Sequence, residues 1–175
     1  GAVDYYSDTW HTFGSGSTAT SMDMLPTTFT FRVSYGGASI QKSQNVASDP
    51  NVVFQTKLVT LTLLKSDGVT ELAGGAEYYS NSYYTFGSGT TSTSMEMLPT
   101  TFTFRVSYGG ASIQKSQNVA SAPNVVFQTG VVHSTSGACT QYYASGWKTF
   151  VQDMELLPVS YTFHFNDGTP DTSKT

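Results

Sequence analysis

Alternation of apolar and polar residues predicts the strands of this chain. Residues 29–35 read Phe-Thr-Phe-Arg-Val-Ser-Tyr, so the apolar side chains point to one face and the polar side chains to the other. Gly36 and Gly37 then favour a tight turn, and the more polar residues 38–46 return as a partner strand. The same pattern recurs from Phe102 onward. Half-buried strands joined by hairpins are therefore the expected local structure.

One complete module is expected between Lys57 and Thr129. Its apolar runs and its Gly, Pro and Asp turns divide it into about seven short strands. A succession of short strands and turns is typical of an antiparallel, immunoglobulin-like sandwich, and abundant Tyr, Phe, Ser and Thr fit an all-β chain. The expected fold class is therefore all-β, with tandem antiparallel β-sandwich repeats. The predicted strands are 58–64, 70–72, 76–79, 84–86, 93–97, 102–108 with its return at 111–119, and 125–128.

The second half of the chain largely repeats the first. Residues 4–56 and 77–129 align without gaps and are identical at 44 of 53 positions, which gives a repeat period of 73 residues. A shorter, divergent copy of the motif starts at Tyr142. Self-similarity at a fixed period indicates a repeat array. Three domains are therefore predicted, at residues 1–56, 57–129 and 130–175, and they are called the first, second and third repeats below.

The outer repeats are expected to be incomplete. The first repeat begins at the Gly-Ala step and has no counterpart of residues 58–72, and the third has no counterpart of the closing strands. Sandwiches with unpaired edges accept strands from neighbours, and a head-to-tail exchange that does not close gives a filament. The expected partners are therefore the chain itself, as a head-to-tail oligomer, or neighbouring modules. An excised or engineered fragment is the other interpretation.

Charge and cysteine content exclude several classes of function. The net charge is −4 and no basic stripe is present, so neither nucleic acid nor an anionic membrane is an expected partner. The chain holds a single cysteine, Cys139, which excludes an intrachain disulfide framework and a cysteine-based zinc site. No apolar run approaches the length of about 20 residues that a membrane helix needs. The sequence predicts no membrane insertion, no metal and no cofactor.

The order of motifs in the second repeat resembles a known family. A Ser-Asp-Gly turn ends at Gly68, a Leu-Ala-Gly-Gly-Ala step ends at Ala76, and Glu-Met-Leu-Pro ends at Pro99, just before Phe-Thr-Phe-Arg-Val. This succession resembles the prealbumin-like sandwiches of Cna-B and carboxypeptidase-regulatory-like repeats. The resemblance implies an extracellular, non-catalytic stalk or adhesin module at a cell surface.

Aromatic residues recur at one position of each repeat. Flat rings beside Ser and Asn suit the stacking of sugar faces, so these clusters are candidate glycan-binding sites. The other interpretation is that one ring of each pair fills the core and the other covers a sheet face. The candidate residues are Tyr5, Tyr6 and Trp10, then Tyr78, Tyr79 and Tyr83, and finally Tyr142, Tyr143 and Trp147.

The family resemblance also implies a possible intramolecular isopeptide bond. This chemistry needs a lysine amine, an Asn or Asp side chain and a buried carboxyl that moves protons. The candidate trio is Lys57, Glu96 and Asn124, and the other interpretation is ordinary surface groups. Loss of one ammonia from the intact mass distinguishes the two.

Enzymatic activity is not predicted. The three histidines, His11, His133 and His164, occupy unrelated repeat positions, and no nucleophile elbow, zinc-protease motif or phosphate loop is present. The sequence instead favours an extracellular structural or adhesive repeat protein, a stalk or filament subunit of a surface appendage. A carbohydrate-binding module that uses the aromatic clusters is the alternative.

Overall fold

A computed structural model describes residues 1–134 and 139–165, together with the backbone of 172–174. The described residues contain strands and turns but no helix, which confirms the predicted all-β fold. The strands are β1 Ala2–Tyr6, β2 Trp10–Ser17, β3 Thr28–Tyr35, β4 Ala38–Asn45, β5 Lys57–Leu64, β6 Gly75–Ser80, β7 Ser82–Thr90, β8 Thr93–Met97, β9 Thr101–Tyr108, β10 Ala111–Asn118, β11 Asn124–Gln128, β12 Gly130–Val132, β13 Cys139–Tyr143, β14 Trp147–Thr149, β15 Met154–Leu156, β16 Tyr161–Phe165 and β17 Thr172–Lys174.

Three four-stranded sheets share one strand order. They are β2-β1-β3-β4, β7-β6-β9-β10 and β14-β13-β16-β17, with antiparallel pairing. The first two contain the alternating segments that the sequence identifies as strands, β3 and β9, and each of these lies in an interior position of its sheet. The buried face of the middle sheet carries Phe104 and Val106, which are fully enclosed. The alternation of residue types therefore corresponds to an alternation of burial.

A second type of sheet is built from the remaining strands. In the second repeat it has three strands in the order β11-β5-β8, and in the third it has two, β12 and β15. One pair departs from purely antiparallel pairing, because β11 runs parallel to β5 with Asn124 opposite Thr60. The central strand β5 is the most enclosed, and Val59, Leu61 and Leu63 have no exposed surface.

The chain forms two compact units. The first consists of Gly1–Val59, Glu96–Phe102 and Asn118–Pro123, and the second of Thr60–Met95, Thr103–Gln117 and the described part of Asn124–Thr175. The predicted boundaries at 56 and 129 stay predictions. Within the second unit, the third repeat has a small core of its own, with partly buried side chains packed around it. The core residues are Cys139, Tyr142, Ala144, Phe150, Leu156, Tyr161 and Phe163.

One predicted strand is wrong. Residues 70–72 form only an isolated bridge, between Glu71 and Leu64. The preceding turn explains the difference, because the Asp67 carboxylate accepts hydrogen bonds from the Thr70 hydroxyl and from the amides of Thr70 and Val69. These hydrogen bonds, those from Thr70 first, lower the pKa of Asp67 to about 2. The turn therefore extends into the segment that was expected to be a strand.

Candidate functional sites

Each four-stranded sheet carries a pair of rings beside its first hairpin. Register places Tyr6 opposite Trp10, Tyr79 opposite Tyr83, and Tyr143 opposite Trp147. The ring centroids in these pairs are 5.4, 5.3 and 5.5 Å apart, with edge-on geometry. Directly opposed residues on antiparallel strands are close enough for such contacts. The repeat therefore produces the same aromatic pair three times.

An arginine covers the second ring in the first two repeats. The Arg32 guanidinium lies 4.2 Å from the Trp10 ring centroid, and that of Arg105 lies 3.6 Å from the Tyr83 ring centroid. Both distances are within the range of cation–π attraction. Asp4 holds Arg32 through an N–O contact of 2.8 Å. Each arginine therefore leaves less of its ring free for a ligand.

In the third repeat, uncharged or weakly basic residues occupy the positions of the carboxylate–arginine ion pair. Glu77 and Arg105 are paired at 2.6 Å in the second repeat, whereas the equivalent positions, which face each other in register, hold Gln141 and His164. The His164 ring lies 5.8 Å from Trp147 with edge-on geometry. Trp147 is 47% exposed. The third ring pair is therefore more open than the other two.

The predicted glycan-binding residues divide into exposed and buried rings. Tyr6, Tyr79 and Tyr143 are between 46% and 49% exposed, whereas Tyr78 is 5% and Tyr142 1% exposed. Tyr5, Trp10 and Tyr83 are half-buried. The two buried tyrosines are inaccessible to a ligand, which corrects that part of the prediction. Neighbouring residues of a strand face opposite sides, so of the adjacent tyrosines 78–79 and 142–143 only Tyr79 and Tyr143 remain at the surface.

The three candidate isopeptide residues are all exposed. Lys57 lies at the start of β5, Glu96 within β8 and Asn124 at the start of β11. The Asn124 side-chain oxygen accepts a hydrogen bond of 2.9 Å from the Thr60 hydroxyl. An exposed Glu96 does not supply the buried carboxyl that the reaction requires. The geometry therefore favours the interpretation of these residues as surface groups.

A docked turn between the second and third repeats was missed by the sequence analysis. The turn between β9 and β10 packs on the hairpin of β13 and β14, where the Tyr142 hydroxyl donates to the Gly109 carbonyl at 2.9 Å. The Ser145 hydroxyl donates to the Gly110 carbonyl at 3.1 Å. Burial of the side chain raises the pKa of Tyr142, and the neighbouring Tyr108 raises this pKa further. The hydroxyl therefore stays protonated and remains a donor. The Gly-Gly pair predicted a turn but gave no indication of its partner.

A second contact joins the same two repeats through Glu155. Its carboxylate accepts hydrogen bonds from the Ser66 amide at 3.1 Å, from the Ser66 hydroxyl at 2.7 Å and from the Thr129 hydroxyl. Burial alone raises the pKa of Glu155, but the hydrogen bonds from Ser66 and Thr129 lower it below its ordinary value. No local feature of the sequence points to these partners, which lie 26 and 89 residues away from Glu155.

Two segments of the first repeat differ in structure from their near-identical counterparts. Residues 51–56 match 124–129 in every position, and residues 20–24 match 93–97 except for Asp23 in place of Glu96. In the second repeat these sequences form β11 and β8 on either side of β5. In the first repeat neither segment is a strand. Residues 20–24 and 51–56 are together called the open face below.

Comparison of the chain with protein-family models, with curated proteins and with solved structures found no match. Over the described residues, no helix has the length and hydrophobicity needed to cross a membrane.

Proposed function

We propose that this chain is an extracellular structural or adhesive repeat protein, a stalk or filament subunit of a cell-surface appendage. The docked turn between the second and third repeats is the observation that supports the proposal. Side chains of one repeat bind backbone carbonyls of the other, through Tyr142 and Ser145. Repeats that contact their neighbours directly form stiff arrays, because no flexible linker separates them.

Three acidic groups of the repeats have structural partners, which fits a non-catalytic role. Asp4 and Glu77 pair with arginines of a neighbouring strand, and Glu155 binds Ser66 and Thr129. The open face supplies a route to assembly, since segments that can form strands but lack a partner strand accept one from a neighbour. Subunits of the filament therefore join head to tail by strand complementation.

Electron microscopy of the purified chain over a concentration series tests this function. Filaments with a regular axial repeat are expected as the concentration rises. Leu25, beside the open face, is 75% exposed, and Val69, in the turn after β5, is 80% exposed. Leu25→Glu should prevent filament formation by placing a charge in the joint, and Val69→Glu should not. Separate short particles at every concentration would contradict the filament proposal.

Glycan binding is the second candidate function, and the exposed ring pair Tyr143–Trp147 favours it. Aromatic faces bind the apolar faces of sugars, and this pair has no arginine over its tryptophan. The chain contains two tryptophans, so single variants isolate each. Trp10→Phe keeps only Trp147, and its fluorescence should change on titration with a binding sugar. Trp147→Phe should show a smaller change, because Trp10 is half-buried under Arg32. An unchanged spectrum across a panel of sugars would exclude this candidate.

A further inference from the structure

We propose that the open face of the first repeat is the acceptor site for a β-strand of the β5 type. The inference deepens the proposed function and rests on it, because it identifies the strand that joins one subunit to the next. Its basis is the internal comparison that the repeat provides. The second repeat contains nearly the same two segments with their partner strand in place.

The pairing in the second repeat specifies the geometry of the missing partner. There β5 lies between β11 and β8, parallel to β11, with Asn124 opposite Thr60 and Val125 opposite Leu61. The Leu61 carbonyl also accepts a hydrogen bond of 2.8 Å from the Ser92 amide. In the first repeat, Asn51 and Val52 occupy the positions of Asn124 and Val125. A donor strand would therefore run parallel to residues 51–55 and beside residues 20–24.

Side chains of the open face, and Leu25 beside it, remain uncovered. Leu25 is 75% exposed and Leu98, its counterpart, 2%. Met24 and Phe54 are half-buried, whereas Met97 and Phe127 are 2% and 5% exposed. Val52 is half-buried and Val125 has no exposed surface. The same residues thus lose their contact with water only where a β5 strand is present, and covering them is favourable.

Both segments of the open face are already held at their ends. The Ser15 amide donates to the Thr20 hydroxyl at 3.0 Å, which reproduces the 3.0 Å bond from Ser88 to Thr93. The Gln44 side-chain amide donates to the Asn51 carbonyl at 3.0 Å. The corresponding bond from Gln117 to the Asn124 carbonyl is 2.9 Å. The acceptor is therefore partly organised before the donor binds, which lowers the entropic cost of binding.

The donor is defined by the chemistry of β5. Val59, Leu61 and Leu63 are fully enclosed on one face, while Thr60, Thr62 and Leu64 are half-buried on the other. A donor therefore needs three aliphatic side chains at alternate positions, with hydroxyl or aliphatic residues between them. In the folded chain β5 is already paired on both sides, so a copy of this chain would have to release β5 from its own sheet in order to donate it.

A synthetic peptide of residues 57–65 tests the acceptor site. Titrated into the full chain labelled with ¹⁵N, it should bind saturably and protect the amides of Val52, Phe54 and Thr56 from exchange, because the amide of Thr129, the counterpart of Thr56, donates to the Leu64 carbonyl in the second repeat. A control peptide with Asp at the positions of Leu61 and Leu63 should not bind. Val52→Asp should abolish binding, and Val53→Asp should preserve it. The adjacent Val53 is the counterpart of Val126, which stays 42% exposed even when β5 is present.

The outcomes separate this inference from the proposed function. Saturable binding that depends on Val52 but not Val53 supports the acceptor site, even if no filament is seen. Failure of the peptide to bind, or equal loss of binding in both variants, overturns it. Filaments that form although the peptide does not bind would also overturn the inference, and would mean that subunits join through a different surface.

Discussion

Gly109 and Gly110 show at the residue scale how a local turn becomes a contact between repeats. Both have a positive φ, 62° and 87°, as the two central positions of a type I′ hairpin turn require. Gly110 also lies against the third repeat, where an added Cβ would be 2.6 Å from the Ala144 carbonyl oxygen and would clash with Lys148 Cε. Glycine is therefore needed at this position for conformation and for close approach.

We expect Gly110→Ala to destabilise the chain, because the methyl group would strain the backbone and separate the turn from Ala144. Strain of this kind costs about 1–3 kcal/mol. Chemical denaturation followed by circular dichroism measures the free energy of unfolding. Gly130→Ala is the matched control, since its Cβ would meet no atom within 4 Å and Gly130 is not among the residues of positive φ. Equal effects of the two substitutions would show that the contact at Gly110 is unimportant.

The elements divide into those that the sequence predicts and those that it does not. The predicted strand at 93–97 has the bounds of β8, and those at 58–64 and 125–128 are within one residue of β5 and β11. Period-two alternation predicts these strands because it records which side chains a strand would bury. It does not record whether a partner strand is present, so residues 20–24 and 51–56 have the same pattern and a different structure.

The candidate sites are also predictable from the sequence only in part, for the same reason. Alternation indicates that neighbouring tyrosines face opposite sides of a sheet, but not which side is covered. That depends on distant residues, such as the edge-on contact of 5.6 Å between Tyr142 and Tyr161. The partners of Glu155 lie 26 and 89 residues away in sequence, at Thr129 and Ser66, and no local pattern connects them.

A matched pair of substitutions tests whether residues 51–56 and 124–129, which have the same sequence, differ in packing. Phe127, in β11, is 5% exposed, whereas Phe54 lies outside any strand and is half-buried. Phe127→Ala should lower the free energy of unfolding by about 3–5 kcal/mol, the usual cost of removing a core phenylalanine. Phe54→Ala should have a clearly smaller effect in the same denaturation experiment. Similar losses would mean that residues 51–56 are packed as a strand in solution.

At the scale of the whole molecule, the contact of Glu155 with Ser66 and Thr129 holds the third repeat to the second. We expect Glu155→Gln to lower the temperature at which the third repeat unfolds at pH 7, because an amide is a weaker acceptor than a carboxylate. Trp147 reports this transition by fluorescence in a Trp10→Phe background. Glu96→Gln, at the same repeat position but exposed, is the control and should change little.

The pH dependence of this effect follows from the direction of the pKa shift. The folded chain holds the pKa of Glu155 below its ordinary value of 4.5, so the carboxylate contributes stability above that pH. This contribution is lost as the pH falls through the lowered folded value and the carboxyl is protonated. The difference in melting temperature between the Trp10→Phe protein and its Glu155→Gln variant should therefore be largest near neutrality and disappear in acid. A difference that stayed constant at all pH values would show that the charge of Glu155 does not stabilise the contact.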